Sequence, residues 1–406
     1  MAGVGKNCRA VGTELGTSTS KFCVDDIMVV FSSVVGDPLT VKQEKSWRLM
    51  NRSQDNSWIR NLAIYDDSRK SWRYVGAMTR NSEKQNWFTG KGLIQNFDDA
   101  YIALQAGLLL LNLELENSGK EPIANAGLGF GIAVRSGEDI ADSFFNYIKD
   151  RLLAEKEKKY IVIKAKNIAT DEEKEMKIQV EFTIMQYQAY GAYMAFLFKK
   201  YKMNIYNTYI IDVGHGTWIK LPVIDNEADI LLADSFGEGI FTITKNISNT
   251  IFEMSSQKFK IPEQRIMEKI PKGDFTIDIP GSGTYNFKDL LDNQCEHLAQ
   301  IIAQHLSNDI KAISAKGEGI DYFAIIGGGA HLLFDKIKTK LSDFFEWDPK
   351  TADERILNAD LLNVDPRYIN CLGFMLLARD HIALEMGEDV NAEFGLKKII
   401  TDYKKV

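Results

Sequence analysis

The chain is 406 residues long and poor in several features, each of which closes off a class of protein. It has four cysteines, Cys8, Cys23, Cys295 and Cys371, with no CxxC pair, so neither a zinc site of familiar spacing nor a disulfide framework is expected. A reducing cytoplasm is the compartment this implies. Its five histidines form no ligand set: His297 and His305 are eight apart and no HExxH occurs. The most apolar run, Ala106 to Leu113, falls far short of the ~20 residues that span a bilayer, and the opening MAGVGKNCRAVG lacks the apolar core of a leader. Neither secretion nor membrane insertion is expected. Basic residues are not in excess either: 49 Lys and Arg against 56 Asp and Glu give a net charge of −7, which is not the footprint of a dedicated nucleic-acid binder.

Hydrophobic residues make up 45% and charged residues 26%, the composition of an ordinary globular protein, and the length suggests two or three domains. The informative feature is an internal repeat. Glu14-Leu15-Gly16-Thr17-Ser18-Thr19 matches Asp212-Val213-Gly214-His215-Gly216-Thr217, 198 residues later. Both read acid, apolar, Gly, any residue, small residue, Thr. Each follows one apolar run and precedes two more: Lys21 to Val24 and Ile27 to Phe31 in the first copy, Trp218 to Ile224 and Ile230 to Ala233 in the second. Each motif is therefore expected to be the turn of a hairpin that opens a three-stranded meander.

Between the copies, Met176, Ile178, Val180, Phe182 and Ile184 alternate with polar residues, as a half-buried strand does, with Tyr160 to Ala165 as its expected partner. The run Thr170 to Lys174 reads as a solvated turn. A helix is expected over 189–201 and another over 290–310, and Tyr322 to Ile326 reads as a strand entering Gly327-Gly328-Gly329-Ala330 and then a helix. Alternating strands and helices predict an α/β protein.

The loop chemistry points to phosphate. Glycine permits the turn, Thr17, Ser18 and Thr19 offer hydroxyls beside backbone N–H groups, and Lys21 adds a point charge. Glu14 and Asp212 have the hard oxygens that hold Mg²⁺ directly or through water. Two such hairpins facing one another would clamp a metal-bound polyphosphate. His215 has two readings, one against a phosphate and one as a hydrogen-bonded turn residue. The helix start at Ala330 is expected to present N–H groups to anionic oxygens. Leu332 stands where a Rossmann fingerprint needs glycine, and no GxxxxGK[ST] occurs.

In this order, Glu14-x-Gly16 with Lys21, Asp212-x-Gly214-x-Gly216-Thr217, Ile326-Gly327-Gly328-Gly329-Ala330 and Asn370-Cys371-Leu372-Gly373 resemble the phosphate loops, adenosine motif and second connecting helix of the actin-type ATPases. Within that superfamily the chain is most similar to the ParM-like plasmid-segregation group and its archaeal relatives. Tyr74-Val75-Gly76 resembles a strand end before the cleft. Asp234-Ser235-Phe236-Gly237-Glu238-Gly239 resembles the turn beside the base, which adds Gly237 and Glu238 to the nucleotide contacts. The resemblance implies an actin-like α/β fold of two related, ribonuclease-H-like lobes: 1–185 with 375–406, carrying a variable subdomain over about 36–120, and 186–374. It also implies binding of ATP, or alternatively GTP, with Mg²⁺, and hydrolysis coupled to self-assembly into filaments. The cargo would be plasmid DNA held through a DNA-binding adaptor. Gln188, with Gln186 in reserve, takes the place of the residue that orients the attacking water, and Glu14 and Asp212 complete the catalytic set. Glu14 stands where the family has aspartate, and the aspartate that often closes the second loop is absent from Trp218-Ile219-Lys220. A monomeric kinase or ATPase of the same superfamily and a stable structural filament are the alternatives.

Residues 42–91 hold 11 Lys or Arg against 5 Asp or Glu together with Trp47, Trp58, Trp72 and Trp87. Such interleaving suits nucleic acid, but the position is that of the variable subdomain, so a protein contact is the expectation and direct nucleic-acid binding is not. Cys23 and Cys371 lie in apolar segments and are expected to be buried small residues rather than nucleophiles.

Overall fold

The computed structural model describes residues 7–50, 55–82, 84–90, 93–132, 137–155, 158–199, 207–279, 281, 283–388 and 395–402. Its contacts divide the chain into two units: Met1–Lys202 with Leu362–Val364 and Tyr368–Lys404, and Met203–Leu361 with Asp365–Arg367 and the last two residues.

The first unit is built on a mixed sheet. A meander of β1 (Cys8–Leu15), β2 (Thr19–Val24) and β3 (Ile27–Ser32) forms one side. From β1 the sheet continues through β7 (Asn125–Ile132) and β9 (Glu173–Tyr187), both parallel to it, and then through antiparallel β8 (Lys158–Asn167), β4 (Leu62–Asp66) and β5 (Ser71–Val75). On the far side of β3, β15 (Lys398–Thr401) adds a parallel edge. The strand over 176–184 and its pairing with 160–165 are found as expected, with Tyr160 opposite Gln179 and Ile163 opposite Met176, but burial does not alternate along it: Ile178, Gln179 and Val180 are all buried and 181–187 are half-buried throughout. Helix α1 (Phe97–Asn117) contains the apolar run 106–113 and is buried nearly all round, covering one face.

Helix α6 (Ile369–Met386) lies in this unit and rests on the sheet where glycine leaves room: a Cβ on Gly12 would stand 2.1 Å from the Cys371 carbonyl oxygen. It crosses α2 (Tyr190–Lys199) at Gly373, where a Cβ would meet the Gly191 carbonyl oxygen at 1.6 Å. Asn370 Oδ1 accepts the Ala192 N–H at 3.1 Å, joining the two helices further. This packing groups residues 186–199 and α6 with the first unit by contact. Cys23 and Cys371 are fully buried in this contact, and burial pushes the Cys371 thiol up.

The second unit repeats the first in miniature. An antiparallel pair, β10 (Thr208–Val213) and β11 (Trp218–Ile224), is followed on the β10 side by parallel β13 (Tyr322–Ile326) and β14 (Ile356–Leu357). This is the arrangement of β2, β1, β7 and β9. One face, carrying Tyr209, Ile211, Val213, Phe323 and Ile325, is covered by α3 (Ile240–Met254), α4 (Lys288–Ala315) and α5 (Ala330–Phe345). The expected third strand over Ile230 to Ala233 is not formed. Asp229 Oδ1 accepts the amides of Leu231 and Leu232, making 229–232 a turn, and Leu231 is 85% exposed. Pairing to β11 resumes in β12 (Asp234–Phe236).

The tryptophans of 42–91 are dispersed: Trp58 packs on the main core, Trp47 and Trp72 on a small cluster around Ala63 and Tyr74, and Trp87 is exposed. Several basic residues here are ion-paired, Arg73 with Asp99 at 3.0 Å in full burial and Arg48 with Glu44 and Asp171.

Candidate phosphate-binding loops

Each copy of the repeated motif is a four-residue hairpin loop. In the first, Leu15 pairs with Ser20 and the Gly16 N–H donates to Thr19 O at 3.1 Å; in the second, Val213 pairs with Trp218 and the Gly214 N–H donates to Thr217 O at 2.8 Å. The likeness read from sequence is thus a likeness of backbone.

The two loops also share an arrangement that short sequence patterns do not reveal. In the first, the carbonyls are held from behind: Thr89 Oγ1 lies 3.1 Å from Gly16 O and 3.2 Å from Thr17 O, and the Ser33 N–H donates to Ser18 O at 3.0 Å. In the second, the start of α3 does the same work, the Ile240 N–H donating to Gly214 O at 3.3 Å and the Phe241 N–H to His215 O at 2.7 Å. A trans peptide points its C=O and the following N–H in opposite directions. The amides of Thr17 and Ser18, and of His215 and Gly216, therefore face away from these supports, and none of the four bonds to another described residue. Successive outward amides of this kind make an anion-binding concavity.

Beside the first loop, three predicted residues meet. Lys21 stands opposite Glu14 in the β1–β2 ladder and its Nζ is 2.7 Å from Glu14 Oε1. The Gln188 side chain, between β9 and α2, donates to the same oxygen at 3.1 Å. Glu14 is 3% exposed, and its Oε2 is buried with no hydrogen-bond partner in the structure. A buried carboxylate oxygen without a donor is costly unless a cation or water reaches it, so the carboxylate suits a hydrated Mg²⁺. No three His, Cys, Asp or Glu side chains among the described residues form a metal cage.

In the second unit, Asp212 is the penultimate residue of β10 and is 5% exposed. Its Oδ1 lies against Gly327, where a Cβ would be 2.3 Å away and φ is +87°, so only glycine fits both the space and the backbone. The Gly329 N–H donates to Val213 O at 2.7 Å and the Ala330 N–H to Gly327 O at 3.1 Å. The glycine run is thereby fastened to the strand that carries Asp212, and the Ala330 amide is used within the turn rather than turned outward. Gly239 presses on the second loop, with Gly237 and Glu238 exposed just before it.

Lys220 plays no part in the loop. Its Nζ is 2.6 Å from Asp309 Oδ2 in α4, a buried pair that Tyr209 OH joins. Trp218 stacks on Phe236 at 4.2 Å with His305 edge-on. His215 packs edge-on against Phe241, its Nδ1 is buried without a hydrogen-bond partner, and burial lowers its pKa below the usual 6.5, leaving a neutral imidazole at pH 7.

No protein-family model and no curated protein matches the chain. Solved structures do. The archaeal actin homolog Ta0583 aligns over 92% of this chain and 99% of its own with a TM-score of 0.67 at 15% identity. A Bacillus thuringiensis ParM determined with ATP aligns over 92% and 98% with a TM-score of 0.60 at 17% identity. A 15-stranded ParM filament from Clostridium botulinum aligns over 92% and 99% with a TM-score of 0.62 at 15% identity. The chain has an actin-like fold.

Proposed function

We propose that this actin-like chain is a ParM-like protein that binds ATP with Mg²⁺, hydrolyses it and assembles into filaments whose stability follows the nucleotide. The observation that carries the reading is the shared construction of the two loops, each with an acidic strand end, a glycine turn, carbonyls fixed from behind and two amides facing outward. A polyphosphate is the ligand that loops of this construction suit.

The roles follow from the chemistry of each side chain. Backbone amides of Thr17, Ser18, His215 and Gly216 take phosphate oxygens, helped by the hydroxyls of Thr17, Ser18, Thr19 and Thr217. Lys21 supplies a positive charge. Glu14 and Asp212 hold the metal or its waters, which would screen the phosphate charge. Gln188, held at Glu14, orients the attacking water, a task a neutral amide performs without abstracting the proton. Gly16, Gly214, Gly327, Gly328 and Gly329 let backbone approach the nucleotide, with Gly237 and Glu238 beside the base.

Loss of the γ-phosphate would remove contacts made to the nucleotide, and a polymer that prefers the ATP-bound conformation would then loosen. Self-association is supported by a neighbour that is a ParM filament. A cytoplasmic role in plasmid segregation through a separate DNA-binding adaptor completes the proposal. Equilibrium binding of ATP and GTP to the purified protein, with Mg²⁺ and with EDTA, tests its first step. Mg²⁺-dependent ATP binding is expected, and absence of binding by either nucleotide would overturn the reading.

A further inference from the structure

We infer that Thr89 is a positioning residue for the first phosphate loop, setting the direction of the two amides that receive the phosphate. The inference rests on the nucleotide reading above and adds a residue from the segment 42–91.

Thr89 opens the short strand β6 (Thr89–Gly90), 73 residues from Gly16 in sequence, and is 5% exposed. Its position is fixed through the residue before it. Phe88 is fully buried in the main core, and its carbonyl accepts the amides of Gln95 at 2.8 Å and Asn96 at 3.3 Å, where α1 begins. The Asn96 side chain in turn caps that helix by accepting the Asp99 N–H. The Thr89 hydroxyl is thus presented from a rigid base to the back of the loop.

A hydroxyl has one proton, and here it is shared between the carbonyls of Gly16 and Thr17. Each of those carbonyls belongs to the same planar peptide as the next amide, Thr17 N–H and Ser18 N–H respectively. Holding both oxygens inward holds both N–H groups outward. Without the hydroxyl, the two carbonyls lose their donor, and the peptides gain by turning toward water. In the second loop the backbone amides of Ile240 and Phe241 hold the corresponding carbonyls, and no side chain among the described residues does so. The first loop alone depends on a side chain that can be substituted.

The test compares wild type, Thr89→Val, Thr89→Ala and Thr89→Ser for Mg-ATP affinity, with thermal melts of each and deuterium exchange across residues 13–20. Thr89→Val and Thr89→Ala are expected to weaken binding ~5- to 10-fold and to speed exchange in the loop. Thr89→Ser, which keeps the donor, is expected to restore both to within about twofold of wild type. Rescue by serine is the readout a merely space-filling threonine would not give, and alanine serves where valine does not fold. Wild-type binding that neither Val nor Ala changes, or a serine variant as weak as alanine, would overturn the role of Thr89 and leave the nucleotide reading standing. Failure of wild type to bind nucleotide would overturn both.

Discussion

The side-chain amide of Gln188 donates to Glu14 Oε1 at 3.1 Å, across 174 residues of sequence. The same oxygen accepts Lys21, so one carboxylate oxygen gathers the proposed water-positioning amide and the phosphate-loop cation while the other stays without a donor. Gln188→Ala is expected to slow phosphate release by about 10²-fold while Mg-ATP affinity changes less than about threefold. Single-turnover hydrolysis and equilibrium binding on one preparation separate the two effects. Equal loss of both would make Gln188 a support of the loop instead.

Glu14→Gln keeps the shape and the acceptor for Lys21 but removes the charge facing a metal. The half-saturating Mg²⁺ concentration for phosphate release is expected to rise ~10-fold, with metal-free nucleotide binding little altered. A titration of hydrolysis against Mg²⁺ checks this, and an unchanged midpoint would take Glu14 out of the metal site.

His215 gives a pH dependence with a definite sign. Burial lowers its folded pKa below 6.5, so the unfolded chain binds the extra proton first as pH falls. Its contribution to stability is complete above about pH 6.5 and is lost as pH drops toward the folded value. Urea unfolding of wild type and His215→Gln between pH 7.5 and 5.5 is expected to show a steeper acid loss in wild type. Parallel curves would mean that the imidazole is solvated.

Gly373→Ala is expected to cost about 3 kcal/mol or more, since the new methyl would fall on the Gly191 carbonyl and push α6 off α2. The midpoint of denaturant unfolding reads this directly. Gly387→Ala, at a helix end with φ +66° and open space, is the contrasting variant, expected to cost about 1 kcal/mol from backbone conformation alone.

What could be read from the sequence, and what could not, follows from the range of the interactions. The two loops were legible because a strand end, a glycine turn and a threonine are set by neighbouring residues, and their recurrence 198 residues apart exposed the duplication. Strand β9 and the run from β13 into α5 were legible from periodicity for the same reason. Ile230 to Ala233 misled because its apolar residues suit a strand, whereas the Asp229 carboxylate gives the backbone a turn instead. The placement of 186–199 with the first unit depends on glycine contacts between α2 and α6, which no local pattern encodes. Lys220 sits one position beyond the residue that faces Asp212, so its side chain turns to Asp309 and away from the loop. Thr89 gave no signal, since a threonine in a basic, aromatic stretch has meaning only once the chain has brought it behind Gly16.

Light scattering and phosphate release, recorded together on the purified protein, test the central claim most directly. With Mg-ATP, scattering is expected to rise above a critical protein concentration and then decay as phosphate appears, with no rise in Mg-ADP or without nucleotide. ATP bound and hydrolysed with no rise in scattering at any concentration would contradict the account and identify a monomeric enzyme on an actin-like fold.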